Sequence, residues 1–561
     1  MAGSGLAGAS SMSEDNFDLL EPEDIPVLVQ RTPRVHRVEH SLPAECHPPI
    51  YSLDVVNHRE IDGKRREWMA DGLKQALLVM YDDAVLANRK PLHQRDRFLF
   101  AVPVVGTGGG GNHYQTGEAT KVILRALLGL LQEQPNFDVI LCAYDRPTFL
   151  LAQQSRREAL EDFFPSLVSH PPFTLPSQFQ SAFQMTESLA KELDEGGLVL
   201  FLGSGVNGGS GIPEWTDLMD EMAVQCGLDT QTASWKSTDT LSKAELIDNR
   251  FVSQGKSLGE ALTARMKLAT TSLMHQLITG LRCKEVVTTN FDECYENTLL
   301  ALDRSATLSV IPYRVSKVAD QWLLKLHGCV TDPASIVATR GDYLRYMERK
   351  AALAGIVQAK LLTSHMLFVG FSLDDENFHK IMDSVLKARR GSATRIGITF
   401  QDLHNQFSAE LWSPAIECVS MQDTPTGIPS SDLRAQANRQ TEVMMDLLCL
   451  QTSRYYSGYI MDRRFVDSLT PEEAFLRDAL ENLWDRITPS EVAQFPVIAT
   501  TFQNYGAREK PPLTRPRVQD SNPVPVPLPV SSPSLRSKIV GPGVRLFTDL
   551  NRHLRHRKRA E

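Results

Sequence analysis

The chain of 561 residues exceeds one ordinary domain, and its 42% hydrophobic and 23% charged residues suit a globular protein with a sizeable core. A formal net charge of -9 argues against whole-protein attraction to nucleic acid, and no apolar run is long enough to span a bilayer, so neither nucleic acid nor membrane is expected as a partner. The 8 cysteines are scattered without a C-x-x-C pair, which suggests neither a zinc module nor a disulfide framework and fits a reducing compartment.

No metal is therefore expected. The opening stretch MAGSGLAGASSMSEDNFD has neither the basic start nor the apolar core of a secretory signal, so the cytoplasm is the expected compartment. Residues 1–26 are rich in Gly, Ser, Ala and acids, and are expected to be disordered.

A first α/β unit is expected over 27–168. Its elements are a strand from Tyr51 to Val56, a helix from Lys64 to Tyr81 and a buried strand from Phe98 to Val105. That strand runs into GTGGGGNHYQTGEA, whose glycines Gly106 and Gly108 to Gly111 call for an unusual backbone. A helix from Thr116 to Gln132 follows, then a strand from Val139 to Ala143 and a helix ending near Arg157. AVPVVGTGGGG, the helix behind it and the strand ending in CAYD resemble the second half of a macro domain. The resemblance implies an ADP-ribose-type ligand at this unit. A purely packing role is the alternative.

Residues 169–182, with the prolines of HPPFTLPSQ, are expected to be a linker to a second unit over 183–453. This unit opens on LVLFLGSGVNGGSGIPEW, from Leu198 to Trp215. The uninterrupted apolar run Leu198 to Leu202 predicts a central parallel strand covered on both faces. Gly203, Ser204 and Gly205 follow, with Asn207 close behind, and a helix beginning there would turn its positive end toward an anion such as a pyrophosphate. Such a turn also arises where tight packing alone is needed.

Three further strand ends carry polar clusters. Val286 and Val287 lead into Thr288, Thr289, Asn290, Phe291 and Asp292; Leu323 to His327 ends beside Gly328; and Met366 to Phe371 runs into Ser372, Asp374 and Asp375. Carboxyl ends of parallel strands are where open α/β sheets collect ligands. A single histidine there is more often structural, but four polar strand ends in one unit point to a site.

GSGVNGGSGIPEW, TTNFD, LKLHG and LFVGFSLDD, in that order, resemble the SIR2-like family, which is related to sirtuins and is common among NAD-consuming proteins of bacterial antiviral defence. The resemblance implies NAD as substrate, with Gly203, Ser204, Gly205 and Asn207 at the pyrophosphate turn. It implies Asn290 and Asp292 at the nicotinamide ribose and carboxamide, His327 as base, and Gly370, Ser372 and Asp374 around the adenosine ribose. This chain departs from sirtuins at Glu214, Trp215 and Thr216 and in having no four-cysteine set after His327. The groove for an acyl-lysine peptide is therefore not expected, and NAD hydrolysis outranks protein deacylation or a non-enzymatic nucleotide-binding role.

Two strands, Thr394 to Thr399 and Ile416 to Met421, and a helix from Leu433 to Leu450 are expected to close the second unit. Residues 454–509 predict a helical extension, amphipathic from Tyr455 to Trp484, with Thr470 capping and Pro471 beginning a helix. Residues 510–561 form a Pro-rich, then basic tail. The expected whole is α/β: two Rossmann-like parallel-sheet units, macro-like then SIR2-like, a C-terminal helical segment and a disordered tail, assembling as a homo-oligomer.

Overall fold

A computed structural model describes residues 27–508 apart from 31–33, 40–48, 54–64, 93–94, 106–115, 135, 170–178, 268, 304–305, 391–394, 404–405 and 423–429. The N-terminal stretch 1–26, the loop Gly106 to Gly111 and the tail 510–561 lie outside the described residues.

Seven strands make the central sheet: β6 (Leu198–Leu202), β7 (Glu285–Thr288), β8 (Leu308–Ile311), β9 (Gln321–Lys325), β10 (His365–Val369), β11 (Gly397–Leu403) and β12 (Ile416–Gln422). Their spatial order is β12-β11-β10-β6-β7-β9-β8, with every pairing parallel. The unbroken apolar run of β6 has a direct structural cause. Leu198, Leu200 and Leu202 enter a core with the helices Phe179–Asp194, Leu273–Gly280 and Ser430–Thr452, while Val199 and Phe201 enter a second core with the helices Ala351–Thr363 and Glu376–Ala388. Successive strand residues point to opposite faces, so a strand covered on both must be apolar throughout. Each fully buried side chain of this size contributes about 1.5–3 kcal/mol.

The first unit is mixed rather than the expected parallel sheet. Among the described residues, β1 (Val27–Gln30), β2 (Val35–Glu39) and β3 (Ile50–Leu53) form an antiparallel sheet, and only β4 (Phe98–Pro103) and β5 (Phe137–Cys142) pair in parallel. Only a few residues separate β1 from β2, which permits a hairpin, whereas the helix Thr116–Glu133 lies between β4 and β5 and supplies a crossover. Val35, Met69, Leu77, Phe100, Ile123 and Phe137 share one core across both sheets.

Other boundaries also move. The helix expected to end near Arg157 runs over Arg146–Ser169, and the next begins at Phe179, inside the expected linker. The expected helical run from Tyr455 to Trp484 is instead two 3₁₀ turns, Ser453–Tyr455 and Arg463–Ser468, and the helix Pro471–Arg486. Asp462 caps the second turn through the Arg464 N–H, and Thr470 with Glu473 forms a capping box ahead of Pro471, so separate starts override the amphipathic spacing. These C-terminal helices pack on the first unit: Leu150 and Leu151 share a core with Tyr459, Phe465, Trp484 and Phe502. The helix Ser430–Thr452 is tied to the same unit by charge. Arg439 grips both oxygens of Asp138 at 2.7 Å, and Arg156 grips Asp446 at 3.0 and 2.6 Å. No helix among the described residues is long and apolar enough to cross a membrane.

Candidate functional site

Chain order reverses direction across the sheet between β6 and β10, and the crevice outside their carboxyl ends is where sheets of this type bind ligands. The four polar strand ends meet there, because β10, β6, β7 and β9 are adjacent. Ser204, Gly205, Asn207, Asn290, Asp292, His327, Gly370, Ser372 and Asp374 all line one cleft of about 3170 Å³. Ordinary ligand pockets occupy roughly 300–1,000 Å³. The surplus is explained by extent, since the cleft continues to Asp138, Cys142 and Arg146 of the first unit.

The glycine turn serves packing first. A Cβ on Gly203 would lie 2.4 Å from the Gly370 carbonyl oxygen, and one on Gly205 would lie 2.7 Å from the Gly370 Cα. Gly370 itself sits at φ +61, where its own Cβ would meet the Val206 nitrogen at 2.5 Å. The two turns thus touch backbone to backbone. The Gly203 and Gly205 N–H groups, expected at a pyrophosphate, donate to the Val369 and Gly370 carbonyls at 3.0 and 2.9 Å. Gly203 lies beneath the cleft, and the exposed Ser204 and Gly205 are what the turn presents. No α-helix starts here either: a 3₁₀ turn, Ser204–Asn207, follows β6, and the first α-helix begins at Trp215.

The end of β7 is bonded to this turn. The Asn290 amide donates to the Gly203 carbonyl at 3.0 Å, and its backbone N–H to the Thr288 hydroxyl at 3.0 Å. Asp292 is buried, accepting from the Asn207 amide at 3.0 Å and from the Cys294 N–H at 2.9 Å. Burial alone would raise its carboxyl, but Lys325, the Cys294 N–H and the Asn207 amide outweigh it and hold the group below the ordinary range. The Asn207 side-chain oxygen is buried and has no partner among the described residues, which leaves an acceptor beside Asp292.

His327 follows β9 and is buried, edge-on to the rings of Tyr343 and Tyr346 with centroids 5.5 and 5.6 Å away. Gly328 takes φ +103, and a Cβ there would meet the Ser335 carbonyl at 2.5 Å, so the sharp exit after His327 requires glycine. The His327 Nε2 lies 3.7 Å from Asp375 Oδ2, which also accepts from the Tyr343 hydroxyl at 2.7 Å. Burial pushes the imidazole below its ordinary value, Asp375 pulls it up and Lys350 pushes it down. The imidazole is therefore neutral at neutral pH, with a carboxylate placed to stabilise its protonated form. Asp375 also caps the helix Glu376–Ala388 by accepting from the Phe378 N–H at 2.8 Å, which ties its position to the fold.

Sequence reasoning placed Asp375 in a polar cluster but gave it no role, and it missed Tyr343 entirely. The first had a readable signal, an Asp before an amphipathic helix; the second sits in a short helix far from any strand end. Ser372 and Asp374 are exposed, with the Asp374 N–H donating to the Ser372 hydroxyl at 3.3 Å, and Leu373 between them is buried in the left-handed region at φ 64.

Residues 284–413 match the SIR2-like domain family. NAD(+) hydrolase ThsA from Enterococcus faecium is 26% identical over 211 residues, 36% of this chain and 42% of that protein. ThsA from Bacillus cereus is 25% identical over 209 residues, again 36% and 42%. Defense-associated sirtuin 2 from Bacillus subtilis is 24% identical over 213 residues, 36% of this chain and 21% of that protein. The chain spans less than half the length of these curated relatives.

Proposed function

We propose that this chain, whose residues 284–413 match the SIR2-like domain family, hydrolyses NAD to nicotinamide and ADP-ribose. The observation that carries the reading is the buried His327, 3.7 Å from Asp375, in one cleft with Asn290 and Asp292 at the sheet's switch point. The names of the ThsA relatives support NAD as the substrate, and that of defense-associated sirtuin 2 supports a role in defence, which we read as antiviral.

The chemistry asks little of a general acid. Water bonds to C1′ of the nicotinamide ribose as the C1′–N bond breaks, and the bonding pair returns to the pyridinium nitrogen, cancelling its charge. Positive charge develops on the ribose, so the site must hold it and supply a base. A neutral His327 takes the proton from water or from a ribose hydroxyl, and Asp375 stabilises the imidazolium that forms. Asn290 and Asp292 hold the nicotinamide ribose and carboxamide, with the Asn207 oxygen as a further acceptor. Ser204 serves the phosphates, and Ser372 and Asp374 the adenosine ribose.

A second part of the proposal concerns the first unit, read as binding an ADP-ribose-type ligand and controlling turnover. The continuity of the cleft from the switch point to Cys142 and Arg146 favours it. Incubation of the full chain with NAD, resolved by chromatography, tests the main reading. Nicotinamide and ADP-ribose without an acyl acceptor are expected. Nicotinamide released only with an acetylated peptide would make the chain a deacylase, and no product would make it a binding module.

A further inference from the structure

Lys325, the last residue of β9, is 0% exposed, and nothing in the chemistry above uses it. Its neighbour across the sheet is Thr288, the last residue of β7, so its side chain starts level with the base of the 289–292 segment. The ammonium lies 3.0 Å from Glu296 Oε1 and donates to the carbonyls of Phe291, at 3.4 Å, and of Asp292. Two of the three donors of the ammonium go to these carbonyls, and its charge is paired with Glu296. Of these three partners, the two carbonyls belong to the segment that carries Asn290 and Asp292. The third, Glu296, is in the helix Cys294–Leu302 that follows it, with a side chain 3% exposed.

We propose that Lys325 is a positioning residue for NAD cleavage: by holding the Phe291 and Asp292 carbonyls from beneath, it sets where the Asn290 amide and the Asp292 carboxylate stand relative to His327. The same strand thus carries His327 on one side of the site and anchors the segment on the other. The inference rests on the hydrolase reading above. Its electrostatic side agrees with its geometry: burial would discharge Lys325, but Glu296, Cys329 and Asp292 hold its proton on, and the resulting cation in turn holds Asp292 ionised.

A structural role alone must be separated from a positioning one. Removing Lys325 by itself strands a buried carboxylate and destabilises the chain, but exchanging both members of a buried pair for apolar residues of similar size is often neutral. The test is therefore the full-length double variant Lys325→Met/Glu296→Met beside Lys325→Arg. We expect the double variant to fold, with a melting temperature lowered by the two carbonyls left without their lysine donor, and to lose about 100-fold in kcat, the cost of a displacement near 1 Å in a reactive site, with weaker NAD binding by calorimetry. Its acid limb moves to higher pH, because Lys325 no longer offsets the burial of Asp292 and only the Cys294 N–H, the Asn207 amide and His275 remain to do so. Lys325→Arg retains the positive charge and is expected to keep the wild-type limb.

A stable double variant with wild-type turnover and an unmoved limb overturns the proposal, as does a Lys325→Arg limb shifted as far as that of the double variant. If the double variant fails to fold, the Lys325→Arg profile decides. If wild type releases no nicotinamide, the hydrolase reading fails on its own. NAD affinity then still tests Lys325, and equal affinity in the folded double variant refutes the positioning role.

Discussion

Asp375 joins a structural task to a chemical one, and Asp375→Asn separates them. Its Oδ1 caps the helix Glu376–Ala388, its Oδ2 accepts from Tyr343 at 2.7 Å, and the same oxygen lies 3.7 Å from His327 Nε2. Asparagine caps a helix about as well as aspartate through its one side-chain oxygen, and its NH2 then faces the Tyr343 oxygen as a donor where Oδ2 accepted, so stability is expected within about 1–2 kcal/mol of wild type. The charge is lost. Two unit charges 3.7 Å apart at an effective dielectric of about 20 attract by about 4.5 kcal/mol, an upper limit on what the imidazolium gains. With the amide dipole replacing part of it, about 2–4 kcal/mol of transition-state stabilisation disappears, a fall in kcat of roughly 30- to 1,000-fold.

The pH dependence has a definite sign. Burial lowers His327 and Asp375 raises it, so without that carboxylate the imidazole falls further and its acid limb in kcat/KM moves to lower pH while the plateau drops. Asp375→Ala should show the same kinetics with a lower melting temperature, from a lost cap of about 1 kcal/mol. Initial rates of nicotinamide release across pH, with melting curves on the same samples, supply the readout. A folded Asp375→Asn protein with wild-type turnover and an unmoved limb would refute the pairing of Asp375 with His327.

Asn290→Ala should abolish turnover while costing only about 1 kcal/mol of stability, the worth of its bond to the Gly203 carbonyl; a collapse in melting temperature would make it a structural residue. Gly205→Ala forces a Cβ to 2.7 Å from the Gly370 Cα, and the overpacking is expected to cost about 1–3 kcal/mol and to suppress NAD binding in calorimetry; an unchanged melting temperature would contradict the backbone contact. ADP-ribose titrated into the full chain should bind at the first unit as well as at the strand-end site, and Gly109→Glu in the glycine loop should remove the first of these two events without altering the fold. The full chain is needed because Leu150 and Leu151 of the first unit are buried against the C-terminal helices.

What could be read from the residues follows local physics. The apolar run of β6 announced a strand covered on both faces, and the polar ends of β6, β7, β9 and β10 meet at one cleft because parallel strands collect their carboxyl ends on one side. The seven-strand order could not be read, since pairing is decided by contacts between segments far apart in sequence. The glycine turn misled in part. Glycine permits close approach without saying to what, and at Gly203 and Gly205 the approaching group is the backbone of Gly370. Tyr343 and Lys325 stayed hidden for related reasons. A tyrosine in a five-residue helix carries no periodic signal, and a lysine ending a strand reads as solvated until its 0% exposure is known.

If the strand-end cluster is the catalytic centre of an NAD hydrolase with His327 as its base, nicotinamide release depends on that one side chain. The most direct test is the rate of nicotinamide release from NAD, without any acyl acceptor, by the full chain and by His327→Ala shown by melting to be folded. Release by the wild-type chain and a fall of about two to four orders of magnitude in the variant, the usual cost of removing a general base, are expected. Equal rates in the two proteins, or no release by the wild type, would contradict the account.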